Sequence, residues 1–333
     1  MIDSKGTGSK LVPFFRVLSC LLFVSFRGYH LNMEWHIRGG TLSIGQRTLV
    51  MGILNVTPDS FSDGGKFLSS DAALAQAEQM ISEGADIIDI GGESTRPGAA
   101  LVTAEEETQR VLPVIRSLAQ RTSVPISIDT TKSVVARAAL DAGAAIVNDI
   151  SALRFDFHIA DAAAKVGAGL VLMHSRGTPA TMQRLPPVAD VLEEVTSSLR
   201  SSIAMAEKRG VKRESIVIDP GIGFGKTAEQ NVELIAKLDQ LAAAFAEFPI
   251  LIGPSRKSFI GRILEKGDGS ADTATDVGQS KTSPTIPASD RLRGTIASVT
   301  AAILKGAHIV RVHDVKAAIE TVRVADAFRT AAR

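Results

Sequence analysis

The sequence has 333 residues, and 45% of them are hydrophobic, so the chain can bury the core of at least one large domain. Its 37 basic and 36 acidic side chains nearly balance, which argues against the broadly basic surface that nucleic-acid-binding proteins present. The only cysteine is Cys20, so the chain can form neither an intramolecular disulfide bond nor a zinc site with clustered cysteines.

Residues 1–32 have a different pattern from the rest of the chain. The apolar run of residues 17–26 is too short to span a bilayer, and no small-residue cleavage site follows it. A second methionine, Met33, then opens a segment with the pattern of a folded domain. We interpret residues 1–32 as an N-terminal extension in preference to a targeting segment. We predict that residues 33–333 form the domain, and we expect no membrane partner.

Eight short runs of mainly β-branched and aliphatic residues recur along the rest of the chain. They cover residues 49–54, 87–90, 126–128, 146–147, 170–173, 216–218, 250–252 and 309–312. Such runs are typical of strands that are buried on both faces in a parallel sheet. Before the first run, residues 35–44 alternate around Gly39 and Gly40, which predicts a β-hairpin that closes the bottom of the domain.

The stretches between the runs have helical periodicity. Helices are predicted over residues 71–83, 104–120, 133–142, 188–209, 228–244 and 315–330. Four of them have capping residues at their predicted starts, namely Asp71, Thr103, Thr227 and Asp314. Eight strand–helix alternations predict an α/β fold, a (β/α)8 TIM barrel, in preference to a doubly wound sheet. Residues 267–289 lack this rhythm and predict an exposed loop.

Polar side chains follow nearly every predicted strand. They are Asn55, Glu93, Thr95, Arg96, Asp129, Asn148, His174, Asp219, Ser255, Lys257, Arg311 and His313. Because the active site of such a barrel lies at the carboxyl ends of its strands, we predict an active site there. His174 is left out of the catalytic set, since a histidine at a strand end can equally bond within the rim.

The mixture of side chains indicates the chemistry of the ligand. The cationic groups, including Arg96, suit an anion such as phosphate. The carboxylates of Asp129 and Asp219 and the amide of Asn148 suit a planar heterocycle with N–H donors. The amide oxygen of Asn55 suits a Mg²⁺ ion that also holds phosphate oxygens. The sequence therefore predicts a site for a nitrogen-rich ring with a phosphorylated arm.

Residues 220–227 look like a phosphate-binding loop but do not match one. Pro220 occupies the place of the first Walker glycine, and Lys226 occupies the place of the third glycine of a dinucleotide fingerprint. We interpret these glycines as allowing a tight turn above the sixth strand of the barrel.

The sequence around these residues resembles the dihydropteroate synthases. Residues 51–64, MGILNVTPDSFSDG, resemble the first signature of that family, and residues 89–98, DIGGESTRPG, resemble the second. Shorter matches follow in family order at residues 127–130, 147–150, 172–174, 219–226, 253–258 and 311–315. Together they cover the chain from about Met33 to its end.

The resemblance implies a transferase of folate biosynthesis. It would condense 6-hydroxymethyl-7,8-dihydropterin pyrophosphate with p-aminobenzoate, giving 7,8-dihydropteroate and pyrophosphate, by an S_N1-like path with Mg²⁺-assisted departure of pyrophosphate. No protein nucleophile is needed. The resemblance also implies a cytoplasmic homodimer whose partners are small-molecule substrates.

The resemblance also implies roles for individual residues. The implied catalytic set is Asp129, Asp219, Lys257, Arg311 and His313. Asp129, Asn148, Asp219 and Lys257 would hold the pterin, with Met173 packed beneath it and Phe224 at the substrate. Thr95, Arg311 and His313 would hold the diphosphate, and Asn55 would ligate Mg²⁺. Two loops, residues 57–65 and 94–98, would close over the site, with Phe61, Pro97 and Ser255 touching the p-aminobenzoate ring.

Three alternatives stay open at this point. A pterin-binding methyltransferase domain shares the barrel and the pterin pocket, but it has no need of cations placed for a diphosphate. A pterin-binding protein without catalysis would have no use for Asn55 and Arg311. A sugar-phosphate barrel enzyme fits less well with two acids and an amide at the rim.

Overall fold

The computed structural model describes residues 33–57, 66–94, 101–266 and 286–332. The strands are β1 (Met33–Ile37), β2 (Gly40–Ile44), β3 (Leu49–Asn55), β4 (Ile87–Gly91), β5 (Ile126–Asp129), β6 (Ile146–Asp149), β7 (Gly169–Met173), β8 (Ile216–Asp219), β9 (Leu251–Ile252) and β10 (Ile309–Val312). The helices are α1 (Lys66–Ser82), α2 (Ala104–Ala119), α3 (Ser133–Asp141), α4 (His158–Val166), α5 (Val191–Lys208), α6 (Ala228–Ala236), α7 (Leu238–Ala244), α8 (Ser258–Lys266), α9 (Leu292–Leu304) and α10 (Val315–Ala331).

The eight strands from β3 to β10 form one parallel sheet in the order β8-β7-β6-β5-β4-β3-β10-β9. A parallel bridge between Ile218 and Ile250 joins the two edges, so the sheet closes into a barrel. The fold is therefore the predicted (β/α)8 TIM barrel, and each of the eight predicted runs lies in or overlaps a strand. Because every strand is covered by helices outside and by side chains inside, near-continuous apolar runs are the expected pattern.

The N-terminal hairpin fills the amino end of the barrel, as predicted. β1 and β2 pair in antiparallel fashion, and Trp35, Ile37 and Ile44 pack against residues at the starts of the barrel strands, such as Leu49 and Ile309. Trp35 is fully buried, and its Nε1 donates a hydrogen bond to the Ser215 carbonyl oxygen at 2.9 Å. The hairpin thus seals the end of the barrel opposite the predicted site.

The helix boundaries confirm some of the predicted caps and correct others. Thr103 accepts from the Glu106 amide, and Thr227 forms a full capping box with Gln230. Asp71 is not a cap, because α1 begins at Lys66 and Asp71 lies within it. The predicted helix over residues 228–244 is two helices that break at Lys237.

Asp314 occupies the N-cap position of α10, but its side chain makes no capping hydrogen bond. Within the described ranges, no helix combines the length and the apolar character that a membrane crossing requires. The predicted loop over residues 267–289 falls mainly outside the described residues, and its final residues start a 3-10 helix at Ala288.

Candidate active site

The carboxyl ends of the barrel strands bring the predicted polar residues to one rim. Asn55, Asp129 and Asp219 each end a strand, and Asn148 is the third residue of the four-residue strand β6. The strand register places Asp129 beside Asn148 and, on its other side, beside Gly91. The convergence follows from the parallel topology, because all eight strands point the same way.

Arg311 lies at the centre of a buried ionic network. Its Nε donates to Asp89 Oδ2 and its Nη2 donates to Asp129 Oδ2, each at 2.6 Å. Asn148 Nδ2 donates to the same Asp89 oxygen at 2.9 Å. Asp89 is fully buried, and its other oxygen has no hydrogen-bond partner among the described residues. Asp89 therefore ties three predicted ligand-binding side chains together, directly or through Arg311.

Sequence reasoning gave Asp89 no role, although it lies in the matched motif of residues 89–98. The available signal was that Asp89 is a carboxylate in the otherwise apolar strand β4, in which every residue is buried. An ionised acid in such a place needs a cationic partner, because an unpaired buried charge is very costly.

The charged groups of this network shift one another's pKa values. Burial raises the pKa of the Asp129 carboxyl to about 7, and the neighbouring Asp89 adds to the increase while Arg311 opposes it. Burial alone would lower the pKa of the Arg311 guanidinium, but Asp89 and Asp129 outweigh it and raise that pKa. Two carboxylates thus share one arginine, and Asp129 can change its charge near neutral pH.

Asp219 is buried at the end of β8, under a loop of glycines. Its Oδ1 accepts from the Gly221 amide at 2.6 Å, and burial raises the pKa of its carboxyl. Gly221 has φ +69, and a Cβ there would lie 1.8 Å from the His174 carbonyl oxygen, so only glycine fits. The Lys226 ammonium donates to the Gly221 carbonyl oxygen at 2.8 Å. The loop is thus a tight turn, as predicted, and its lysine bonds inward to the backbone.

Lys257 reaches this loop from the segment between β9 and α8. Its Nζ lies 4.2 Å from the centre of the Phe224 ring and donates to the Ile222 carbonyl oxygen. A Cβ on Gly223 would lie 2.8 Å from Lys257 Cδ, so the glycine leaves room for the lysine side chain. Burial lowers the pKa of the Lys257 ammonium to about 7, although Asp219 opposes the decrease.

Ser255 and His313 join the loop after β9 to the end of β10. Ser255 Oγ lies 2.9 Å from His313 Nδ1 and accepts from the His313 amide at 3.2 Å. Ser255 is buried, so this hydroxyl is positioned against the histidine. His313 follows the end of β10, two residues after Arg311, so the imidazole and the guanidinium come from the same strand end.

The comparisons with known proteins agree with this geometry. Residues 51–313 match the family described as pterin binding enzyme. A dihydropteroate synthase of Synechocystis sp. is 49% identical over 283 residues, which cover 85% of this chain and 91% of the relative. The chain belongs to the dihydropteroate synthase family. It is accordingly an enzyme, a transferase.

Solved structures of dihydropteroate synthases also match the fold. The Clostridium difficile enzyme, solved in the presence of pteroic acid, is 44% identical with a TM-score of 0.75, covering 86% of this chain and 98% of its own. The Xanthomonas albilineans enzyme with 4-aminobenzoic acid is 40% identical with a TM-score of 0.75, covering 87% and 95%. These findings do not favour the alternative of a methyltransferase domain.

Asn55 is the residue that the sequence predicts as a ligand of Mg²⁺. A Cβ on Gly91 would lie 3.9 Å from Asn55 Oδ1 and 3.8 Å from Asp129 Oδ2. Two oxygen atoms, which are hard ligands, therefore lie beside a position of β4 that has no side chain. Amide and carboxylate oxygens are ligands that Mg²⁺ accepts. Across the described ranges, no three His, Cys, Asp or Glu side chains cluster as an all-protein metal site. The donor set fits an ion that takes its other ligands from substrate phosphates and water.

Four predicted substrate contacts lie outside the described residues, namely Phe61, Thr95, Arg96 and Pro97. Met173 is buried at the end of β7, where it pairs in register with Asp219. His174 is buried too, and burial lowers the pKa of its imidazole to about 2, so it stays neutral. A neutral, buried histidine is consistent with leaving it out of the catalytic set.

Proposed function

We propose that the chain condenses 6-hydroxymethyl-7,8-dihydropterin pyrophosphate with p-aminobenzoate to give 7,8-dihydropteroate and pyrophosphate. The observation that carries the proposal is the buried network of Asp89, Asp129, Asn148 and Arg311 at the rim of a barrel from this family. It places acceptors for a nitrogen-rich ring beside a cation for the departing anion.

The pterin half of the substrate is held by the inner residues of the rim. The carboxylates of Asp129 and Asp219 accept hydrogen bonds from ring N–H and amino groups, and the amide of Asn148 both donates and accepts. Lys257, whose Nζ lies over the Phe224 ring, would contact the pterin together with that ring, and Met173 would pack beneath it. Because the site is buried, each of these hydrogen bonds discriminates strongly against a ring that lacks the matching donor.

The diphosphate half is held by cationic and polar groups at the outer rim. Arg311 presents a planar guanidinium, and His313 lies two residues farther along the same chain segment. Thr95 and Arg96 contribute from the second loop. Asn55 would hold Mg²⁺ against the diphosphate oxygens, and the ion, when bound, neutralises negative charge on the leaving group.

Bond breaking precedes bond making in this reaction. The methylene carbon–oxygen bond breaks, pyrophosphate leaves with the electron pair, and the pterin ring delocalises the positive charge on the methylene. The amine of p-aminobenzoate then attacks and releases a proton. Phe61, Pro97 and Ser255 would contact the p-aminobenzoate ring. The residues of the chain act by electrostatic stabilisation and orientation.

The test is release of pyrophosphate by the purified protein. Release is expected only when the pterin substrate, p-aminobenzoate and Mg²⁺ are all present, and a sulfonamide should compete with p-aminobenzoate. A binding protein without catalysis would release nothing. Sulfonamide that fails to compete would place the second substrate in a different pocket.

We also propose a cytoplasmic homodimer that contacts neither nucleic acid nor membrane. Val324 and Phe328, one helical turn apart on α10, are 56% and 60% exposed, and Leu304 ends the neighbouring helix α9 with 45% exposure. Such an apolar face supports self-association. Phe328→Asp should give a monomer in sedimentation, whereas an unchanged dimer would place the interface elsewhere.

The barrel domain itself is proposed to extend over residues 33–333, with residues 1–32 as an extension. A chain that begins at Met33 should retain full activity. Loss of activity in that variant would assign residues 1–32 to the working enzyme.

A further inference from the structure

Arg256 makes an ion pair that links the loop after β9 to the start of α10. Its Nε donates to Asp314 Oδ2 at 2.9 Å, and its Nη2 donates to Asp314 Oδ1, so the pair is bidentate. The side chains of Arg256 and Asp314 are 34% and 25% exposed. This ion pair lies directly beside the contact between Ser255 and His313, so two successive residues of one segment bond to two successive residues of the other.

The backbone of Arg256 is also held on both sides. Its amide donates to Thr295 Oγ1 at 3.0 Å, and its carbonyl oxygen accepts from Arg291 Nη1 at 3.0 Å. Arg291 is anchored in turn by the Ile286 carbonyl oxygen. The two peptide groups of this loop residue are therefore attached to the first turn of α9 and to the residue that precedes that helix.

Two locally unfavourable features accompany this ion pair, one in the backbone of Arg256 and one at the start of α10. Arg256 has φ +57, one of three positive-φ values among the non-glycine residues in the described ranges. Left-handed backbone disfavours residues with a Cβ, and such strain persists only where the surroundings hold it. Asp314 occupies the N-cap position of α10, yet its carboxylate bonds to Arg256 and makes no capping hydrogen bond. The ion pair therefore joins a residue with an unfavourable backbone conformation to an N-cap residue that does not cap its helix.

We propose that Arg256 is a positioning residue, which through Asp314 sets the distance between Lys257 and the Ser255–His313 pair. Lys257 follows Arg256 directly and reaches the pterin side of the site, and His313 precedes Asp314 directly and reaches the diphosphate side. The ion pair therefore couples the two halves of the substrate site. The inference rests on the proposed function, which assigns those two halves.

The alternative role for Arg256 is to attract the diphosphate by its charge, and Asp314 distinguishes the two. Asp314→Asn removes a negative charge close to an anion site. If charge alone matters, inorganic pyrophosphate binds this variant more tightly than the wild type. If the ion pair positions His313 and Lys257, pyrophosphate binds it more weakly, because the amide cannot hold both nitrogens of the guanidinium as a carboxylate does.

The experiment compares Arg256→Gln, Asp314→Asn and the double variant with the wild-type enzyme. Each is titrated with inorganic pyrophosphate in the presence of Mg²⁺, and its kcat and KM are measured for both substrates. We expect each single variant to lose between about tenfold and about a hundredfold in kcat/KM for the pterin substrate, the size of effect that small misplacements cause. Pyrophosphate affinity should fall in both single variants. The double variant should lose no more kcat/KM than the more strongly affected single variant.

Arg209→Gln is the matched control. Arg209 Nη1 lies 2.8 and 2.7 Å from the two carboxylate oxygens of Asp161, and the ion pair joins the end of α5 to α4, outside the candidate site. Its side chain is 25% exposed, close to the value for Arg256. This control should lose thermal stability without any change in pyrophosphate affinity or in either KM.

The proposal is overturned if Asp314→Asn binds pyrophosphate as tightly as the wild type or more tightly, or if the two single effects add in the double variant. It is also overturned if Arg209→Gln reproduces the kinetic loss. A wild-type enzyme that releases no pyrophosphate from its two substrates would overturn the proposed function instead, so the two failures are distinguishable.

Discussion

Arg311 Nε and Asp89 Oδ2 meet at 2.6 Å, although the two residues are 222 positions apart in the chain and β3 lies between their strands in the sheet. Asp89 also accepts from Asn148, so one buried carboxylate orients a cation and an amide that the proposed reaction uses together. Prearranged groups of this kind stabilise a transition state without reorganising during the reaction.

Asp89→Asn tests this arrangement. The substitution preserves the shape of the side chain but leaves the Arg311 charge with one carboxylate, and breaking a buried ion pair costs about 3–5 kcal/mol. We expect kcat/KM for the pterin substrate to fall by about a hundredfold, in addition to a loss in the free energy of unfolding.

Asp86→Asn is the control for that variant. Asp86 also holds an arginine, Arg47, and it accepts from the Val50 amide at the start of β3, far from the rim. This variant should lose stability and retain kcat/KM at a temperature at which it is folded. If both variants lose kcat/KM equally, Asp89 acts on stability alone.

The division of the substrate site into two halves makes a second prediction. Asp219→Asn should weaken binding of a pterin without diphosphate by about ten- to a hundredfold, because a buried charged acceptor is lost. His313→Gln should weaken inorganic pyrophosphate and leave that pterin unaffected. Arg311→Gln should weaken both ligands, since Arg311 also orients Asp89 and Asp129. Calorimetric titration of the three variants decides this, and equal loss of pterin binding in all three would refute it.

The pH dependence of kcat/KM follows from two buried groups. The proposed reaction needs the Asp129 carboxylate and the Lys257 ammonium, whose pKa values burial moves to about 7 from opposite directions. Asp129 loses its charge as the pH falls below about 7, and Lys257 loses its charge as the pH rises above about 7. Since kcat/KM reports the free enzyme, it should decline on both sides of this value.

Lys257→Arg identifies the alkaline decline. A guanidinium keeps its charge over the whole range, so the decline should disappear from the kcat/KM profile even though the maximal value is lower. Lys237→Arg, in an exposed pair with Glu233, should leave the profile as it is. An alkaline decline that persists in Lys257→Arg would assign it to another group.

The hairpin at the amino end should affect stability and leave catalysis unchanged. Trp35 is the only tryptophan of the chain, and Trp35→Phe removes its hydrogen bond to Ser215. An unsatisfied buried carbonyl and a smaller ring should lower the free energy of unfolding by about 1–3 kcal/mol. Urea unfolding followed by circular dichroism measures this, with His36→Ala, on the half-exposed neighbour, as the control. A change in kcat for Trp35→Phe would contradict the separation of the two barrel ends.

Most of the barrel could be predicted because its strands are buried on both faces. That burial selects apolar runs, and the runs end where polar residues such as Asn55 and Asp219 reach the rim. The break at Lys237 could not be predicted, since the helical periodicity of residues 228–244 continues through it. The prediction of Asp71 as a helix cap was wrong, because a residue type that favours caps is also tolerated at an exposed position inside a helix.

Residue type and strand-end position select Asp129 and Asn148 as candidates for the site, and Lys257 follows in the loop after β9. The contacts among the candidate residues could not be predicted in the same way. The ion pairs of Arg311 with Asp89 and of Arg256 with Asp314 depend on how distant segments meet when the barrel closes, and local pattern carries no information about that. The same holds for Asp314. Its residue type predicts a helix cap, but its carboxylate accepts hydrogen bonds from Arg256.

The most direct test of the central claim is release of pyrophosphate measured with the wild-type enzyme and both substrates. Release should require dihydropterin pyrophosphate, p-aminobenzoate and Mg²⁺ together, with 7,8-dihydropteroate formed in equal amount. Release that does not depend on p-aminobenzoate, or no release at all, would contradict it.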